Sequence, residues 1–357
     1  MSVVNFLAAL ALMYGIWLLT VKRGVKNLTC HRQFSRPTAF EGEDGELVET
    51  VRNDGPYIIP WMRVECYVSP YLRFGKQENL HVSSDTYYRS CFSLMPYQQI
   101  RRRHRVKFLR RGVYDLGNAA MTAGDPLGLT RFCKDQQLNA PVIVYPRILE
   151  DAELPHPVSR MMGELLSKNR LLTDPFLIRG IRPYMPGDLI RDIHWQATAR
   201  TDELQVRVHD STVCTRLLVV LNAQRFDSQW DNYIPEDAKD LLEEEIRLAA
   251  SVCIHTLRAG LAVGFVTNMS QTPQGKSTVI APAEGTAWEE TLLDTFAHLQ
   301  PRCSEKFAPL LDSLSHYTDT DMLILSPYDS KSIQEAIQKI KENGNQVTFY
   351  KTEGGQL

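Results

Sequence analysis

Residues 179–210 (RGIRPYMPGDLIRDIHWQATARTDELQVRVHD) hold the densest set of side chains able to do chemistry. Asp192 and His194, beside Arg191 and Trp195, could form a carboxylate-oriented general base. Two residues apart on a helix, however, they point to different faces, and no nucleophile accompanies them at suggestive spacing. Arg179, Arg182, Arg191, Arg200 and Arg207 are matched by Asp188, Asp192, Asp202, Glu203 and Asp210. This balance predicts internal ion pairing, with arginines holding loops through two-pronged carboxylate contacts. A nucleic-acid surface would carry a basic excess instead.

The elements that must position these groups are a turn and a helix. In Pro186-Gly187-Asp188, proline presets φ, glycine takes the positive-φ position, and Asp188 is then free to cap a new helix. Ile190, Ile193 and Ala197 follow at helical spacing, which predicts one short helix over residues 189–199. Tyr184 and Trp195 read as core side chains of the same region.

The pattern Arg182-x-Tyr184-x-Pro186-Gly187-Asp188-x-x-Arg191-x-x-x-Trp195-x-x-x-Ala199-Arg200 closely resembles the signature of the domain of unknown function 58 family. Residues 110–117 (RRGVYDLG) and 124–129 (GDPLGL) resemble the family segment that precedes this signature. The resemblance implies a bacterial, membrane-tethered protein found with a MoxR-type AAA+ ATPase, and a C-terminal region of von Willebrand factor A type. It implies no established chemistry. Arg182, Tyr184, Pro186, Gly187, Asp188, Arg191, Trp195 and Arg200 are therefore the candidate binding residues, with no catalytic residue, metal or cofactor assigned.

At 357 residues the chain is long for one domain, so two are expected. A net charge of -2 argues against a general polyanion binder. Seven cysteines are scattered without a CxxC, which reads as reduced thiols rather than a disulfide framework or zinc site.

Residues 3–21 (VVNFLAALALMYGIWLLTV) carry no charged side chain, and Lys22, Arg23 and Lys26 follow at once. A run of this length approaches the roughly 20 residues that cross a bilayer. The flanking cations predict an inner-membrane, single-pass anchor over residues 1–28 with everything after it in the cytoplasm. A cleavable signal peptide lacks support, because neither a basic leading region nor a small-residue cleavage site is present. Residues 29–150 alternate polar and apolar side chains in short runs, such as 46–52 (ELVETVR) and 62–68 (MRVECYV), broken by turn residues. An antiparallel β-sandwich-like domain is expected there. The basic run at residues 101–105 (RRRHR) fits either an acidic partner or lipid surface, or a solvated strand edge whose charge discourages aggregation, and the second reading is preferred.

From residue 151 onward the chain turns helical, passes through the signature, and then alternates strands with helices. Residues 216–221 (RLLVVL) read as a strand buried on both faces, and residues 238–259 as an amphipathic helix ended by Gly260. A doubly wound α/β domain over residues 151–357 follows, with its ligand crevice beyond the carboxyl ends of the strands. Residues 222–228, 267–270 and 326–329 then share one rim. The metal site of the von Willebrand A type needs Asp-x-Ser-x-Ser after the first strand, and this chain has Asn222-Ala223-Gln224-Arg225-Phe226. Without a carboxylate, a hard divalent cation has poor ligands there.

These readings together predict a non-enzymatic interaction or adaptor protein, working with a MoxR-type AAA+ ATPase and other membrane-complex proteins in assembling or maturing a cell-envelope complex. A hydrolase built on polar residues of the 182–200 signature is the alternative. A metal-dependent binding module with a rebuilt rim is a third reading. No nucleic-acid partner is expected.

Overall fold

The computed structural model describes residues 2–75, 80–83, 86–124, 131–171, 173–185, 188, 190–201, 203–211, 216–229, 232–272 and 274–352. The chain divides into two compact units, Met1–Arg147 and Ile148–Leu357.

The first unit opens with helix α1 (Ser2–Lys26) and continues in strands. These are β1 (Leu28–Phe34), β2 (Thr38–Phe40), β3 (Asp44–Asn53), β4 (Ile59–Tyr67), β5 (Leu72–Phe74) and β6 (Leu80–Ser83). After them come β7 (Tyr87–Leu94), β8 (Gln99–Phe108), β9 (Gly112–Asp115), β10 (Asn118–Gly124), β11 (Arg131–Gln137) and β12 (Pro141–Tyr145). They form sheets ordered β1-β3-β8-β5, β11-β10-β4-β7-β6 and β2-β12-β9. All pairings are antiparallel except β12 with β2. Side-chain alternation sets the layers. Val106 and Phe108 of β8 enter a core shared with Leu47, Val51, Met62, Val64, Phe92 and Met121, while Arg101, Arg103 and Arg105 face out.

The expected transmembrane anchor is not supported. No helix among the described residues is long and apolar enough to cross a membrane. The side chains of residues 16–21 lie outside the described ones. The last turn of α1 has a different job: Gly24 and Val25 are buried, and Val25 belongs to the core of the β unit. A Cβ at Gly24 would stand 2.7 Å from Ile59 Cδ1, so a larger residue there would have to displace the end of the Ile59 side chain. A count of apolar run length misses such packing.

The core of this unit also holds charge. Arg32 and Glu49 are directly opposed across β1 and β3, with exposures of 1% and 0%. Arg32 Nη2 and Nε donate to Glu49 Oε1 at 2.7 and 2.9 Å, and Nη1 donates to Cys66 Sγ at 3.0 Å. Tyr88 Oη donates to Glu49 Oε2 at 3.3 Å, and His104 Nε2 stands 3.4 Å from the same oxygen. The six described cysteines are free thiols, and burial pushes Cys30 up to about 12, which leaves it inert.

In the second unit α2 (His156–Leu171) leads to β13 (Thr173–Pro183), α3 (Trp195–Thr201) and β14 (Gln205–Ser211). Next are β15 (Arg216–Leu221), α4 (Glu236–Arg258), β16 (Ala262–Thr267), β17 (Thr278–Ala283) and α5 (Thr286–His298). The chain closes with α6 (Phe307–Ser313), β18 (Thr320–Ser326), α7 (Lys331–Glu342) and β19 (Gln346–Lys351). The main sheet runs β17-β16-β15-β18-β19, parallel except for β17, an antiparallel edge strand beside β16. Leu218, Val220, Met322 and Ile324 pack with Phe307, Leu310, Ile333 and Ile337 of α6 and α7 on one face. On the other, Phe265 meets Phe296 of α5 with ring centroids 4.4 Å apart. Burial on both faces is why the strands at the sheet's centre read as continuous apolar runs. At Gly264 a Cβ would meet Ile280 O and Pro282 N at 2.7 Å, beside the register shift where β17 joins.

Candidate functional site

The signature is a two-stranded ribbon whose connection carries a short helix. β13 pairs antiparallel with β14, Ile181 opposite Arg207 and Arg182 opposite Val206. Tyr184 N–H donates to Leu204 O at 2.8 Å and His194 N–H to Gln205 O at 2.7 Å, so the segment between them is tied to β14 at both ends. Ile193 bridges to Val206, and these two side chains are buried.

Among the described residues, Asp188 accepts no helix N–H. Its carboxylate turns back, Oδ2 accepting from Met185 N–H at 2.8 Å and from Arg182 Nη1 at 2.7 Å, while Oδ1 accepts from Arg182 Nη2 at 2.7 Å. Asp188 N–H in turn donates to Met185 O at 3.1 Å. The residue therefore staples a turn to the end of β13. The single helix expected over residues 189–199 is also absent. A 3-10 turn at Ile190–Asp192 is followed by α3, because His194 interrupts the run and caps it, its Nδ1 accepting Ala197 N–H at 3.0 Å. That bond occupies the imidazole nitrogen a general base would need, so the Asp192–His194 reading loses its base.

Of the other signature residues, Tyr184 is half-buried and Arg200 is exposed. Pro186, Gly187 and the Arg191 side chain lie outside the described residues. Trp195, expected in a core, is 63% exposed, and Ile190 (74%), Met185 (62%), Ile181 (47%) and Leu204 (45%) are exposed with it. The sequence reading singles out neither Ile181, Met185 nor Leu204, and it uses Ile190 only as one residue of the expected helix. The usable signal is that Met185 and Ile190 flank a Pro-Gly dipeptide, a sequence that favours a turn over a buried regular element.

Arg182 first, and the Met185 N–H after it, hold the Asp188 carboxyl below the usual aspartate range. A lowered folded-state pKa contributes stability above the unfolded value and loses it as pH falls. Asp188→Asn is therefore expected to melt below the parent at neutral pH, with the gap closing as pH falls below the unfolded value of about 3.9. Coincident melting curves at neutral pH would show that the staple adds nothing.

The rim at the carboxyl ends of β15, β16 and β18 is a closed amide network. Asn222 Nδ2 donates to Ser326 Oγ at 2.9 Å, and Asn222 Oδ1 accepts from Gln224 N–H at 2.9 Å and Asn268 Nδ2 at 3.2 Å. Asn268 Oδ1 accepts Ala223 N–H at 2.8 Å, and Gln224 Oε1 accepts Phe307 N–H at 3.1 Å. These side chains are buried, neutral and mutually engaged. Nothing in this donor set fits a hard divalent cation, and no group of three or more metal-ligating side chains occurs among the described residues. Calorimetry with magnesium, manganese or calcium is expected to show no saturable binding. A micromolar site abolished by Asn222→Ala would contradict this.

Residues 180–326 match the family model described as "Protein of unknown function DUF58". No curated protein matches the chain. Among solved structures, the CARDB domain of a Pyrococcus furiosus protein is 16% identical, covering 33% of this chain and 91% of that one, with a TM-score of 0.23. A non-cellulosomal cohesin from Archaeoglobus fulgidus is 9% identical over 33% and 91%, with a TM-score of 0.24. A cohesin module of a Clostridium perfringens glycoside hydrolase is 12% identical over 34% and 97%, with a TM-score of 0.24. At such scores the architecture rests on the chain's own strand pairing. Neither a von Willebrand factor A-type fold nor a MoxR association is carried by these matches.

Proposed function

We propose, for a chain whose residues 180–326 belong to the domain of unknown function 58 family, that it is a non-enzymatic interaction protein whose signature forms the docking face. The partner proposed is a MoxR-type AAA+ ATPase, in the assembly or maturation of a cell-envelope complex. The observation that carries the reading is the exposure of Ile181, Met185, Ile190, Trp195 and Leu204 within one short, stapled segment. Single exposed apolar residues are ordinary, but a group of them on one feature marks a contact surface. The Arg182–Asp188 staple and the Ile193–Val206 bridge preorganise it, which lowers the cost of ordering on binding. Co-elution of the purified chain with a purified MoxR-type ATPase on size exclusion tests the proposal. Separate elution at concentrations up to about 0.1 mM, which excludes affinities useful for assembly, would refute the partner.

A further inference from the structure

The Met1–Arg147 unit carries a second feature that the signature does not explain. An open cleft of about 1080 Å³ is lined by Arg36, Arg73, Arg105 and Lys107, all exposed. Arg73 and Lys107 are direct cross-strand partners on β5 and β8, and Arg105 lies two residues from Lys107 on the same face. Like charges placed directly opposite are destabilising, and none of these four has an ion pair among the described residues. Three acids also line the cleft, but they do not cancel the charge. Asp44 lies directly opposite Lys107 and Glu46 opposite Arg105 across β3 and β8. Glu46 also stands 3.7 Å from Arg103, outside the cleft, and Glu43 keeps its charge while accepting from Phe40 N–H. Four cations thus face three acids, and the excess sits at Arg36 and Arg73, which have no acid opposite.

We infer that this cleft binds an extended acidic peptide segment. Two observations select that chemistry. The cations run along strands, and side chains at alternate positions of an extended chain repeat at about 7 Å, the spacing of Arg105 and Lys107. In addition, β5 is the edge of its sheet and pairs only with β8 among the described residues, so its open side can take main-chain hydrogen bonds from an added strand. Of the apolar lining side chains, Leu72, Phe74, Val106 and Phe108 are buried, Phe34 and Ala39 are half-buried and only Pro70 is exposed. That is too little apolar surface to anchor in a bilayer, and no ring is fully open for base stacking. The site is independent of the signature surface, and its test needs no ATPase.

A fluorescein-labelled peptide of about a dozen residues, alternating glutamate and threonine to match the strand period, is titrated against the full chain by anisotropy. Saturable binding is expected, weakened at least about tenfold by raising salt to about 0.5 M, where charges are screened within a few ångströms. Arg73→Glu with Lys107→Glu is expected to weaken it by at least about tenfold, as removal of complementary charge does. Arg73→Glu alone, which turns a like-charge pair into an attractive one and keeps the fold, is expected to weaken it in the same direction. Arg101→Glu, on the same strand but outside the cleft, is expected to shift it by less than about twofold, as a distant, screened charge should. Absence of saturable binding overturns the inference, as does equal loss with Arg101→Glu. So does displacement by pyrophosphate below the peptide's own dissociation constant, which marks a small-anion site. Retention on phosphatidylserine vesicles that the double variant loses, without peptide binding, overturns it in favour of a lipid surface.

Discussion

Replacing Glu49 with alanine is expected to destabilise the Met1–Arg147 unit by about 3–5 kcal/mol, the cost of leaving one member of a buried ion pair alone. For a unit of this size that is a fall in melting temperature of roughly 10 °C or more. The magnitude follows from burial. Arg32 loses the acceptor of two of its donors and keeps its charge in a core built of Leu28, Leu47, Val51 and Val64. Its guanidinium stacks over the Tyr88 ring at 4.7 Å, a contact too weak to replace the carboxylate. Replacing both partners by apolar residues, Arg32→Met with Glu49→Leu, is expected to recover most of the loss, because the pair's desolvation cost disappears with it. The pair should also show in acid. Burial pushes the Glu49 carboxyl up, but Arg32 and then His104 outweigh it and hold it down at about 2. The stability it provides is complete above the unfolded value of about 4.3 and is lost as pH falls toward 2. Urea melts of the parent should therefore weaken across that window, and those of Glu49→Gln should stay flatter. A Glu49→Ala variant that melts with the parent would remove the pair from the account of stability.

Trp195→Ala is expected to weaken the proposed complex with a MoxR-type ATPase by about 30-fold, near the 2 kcal/mol that marks an interface hot spot. A tryptophan at the start of α3, exposed as Met185 and Ile190 are, offers a large apolar area at small entropic cost. Its removal leaves no cavity in the free protein, so the melting temperature is expected to stay within about 1 °C of the parent, as for ordinary surface substitutions. This separation of binding from stability distinguishes the docking reading from a structural one. Asp188→Asn should do the reverse in part, loosening the staple and lowering both. If Trp195→Ala lowers the melting temperature and leaves affinity alone, the residue is a packing element and the surface lies elsewhere.

Sequence legibility followed how completely local pattern determines burial. The run at Arg216–Leu221 forms a strand with those bounds because five consecutive apolar residues have only a two-faced core to enter. In β1, Arg32 has the same parity as Leu28, Cys30 and Phe34, and Glu49 lies between Leu47 and Val51. An inward charge on each of two neighbouring strands was therefore readable, though which strand opposes which was not. β17 was missed, since Pro282 and an irregular pattern hide an edge strand that only β16 defines. The signature resisted for another reason. Ile190, Ile193 and Ala197 have helical spacing, but Ile193 is held by Val206 of β14 and His194 caps α3, so the turn wins over the period. Trp195 was assigned to a core by residue type, and type alone does not supply the neighbours that would cover it. The rim was the reverse case: Asn222 and the loops near Thr267 and Ser326 are placed together by strand order, and the absence of a carboxylate from residues 222–226 is plain in the sequence.

The most direct test of the docking surface is amide hydrogen exchange on the chain alone and in complex with a MoxR-type AAA+ ATPase. The account predicts slowed exchange confined to residues 181–204, with the rim peptides that contain Asn222 and Asn268 unchanged. A complex that protects the rim and leaves the 181–204 stretch at its free rate would contradict it.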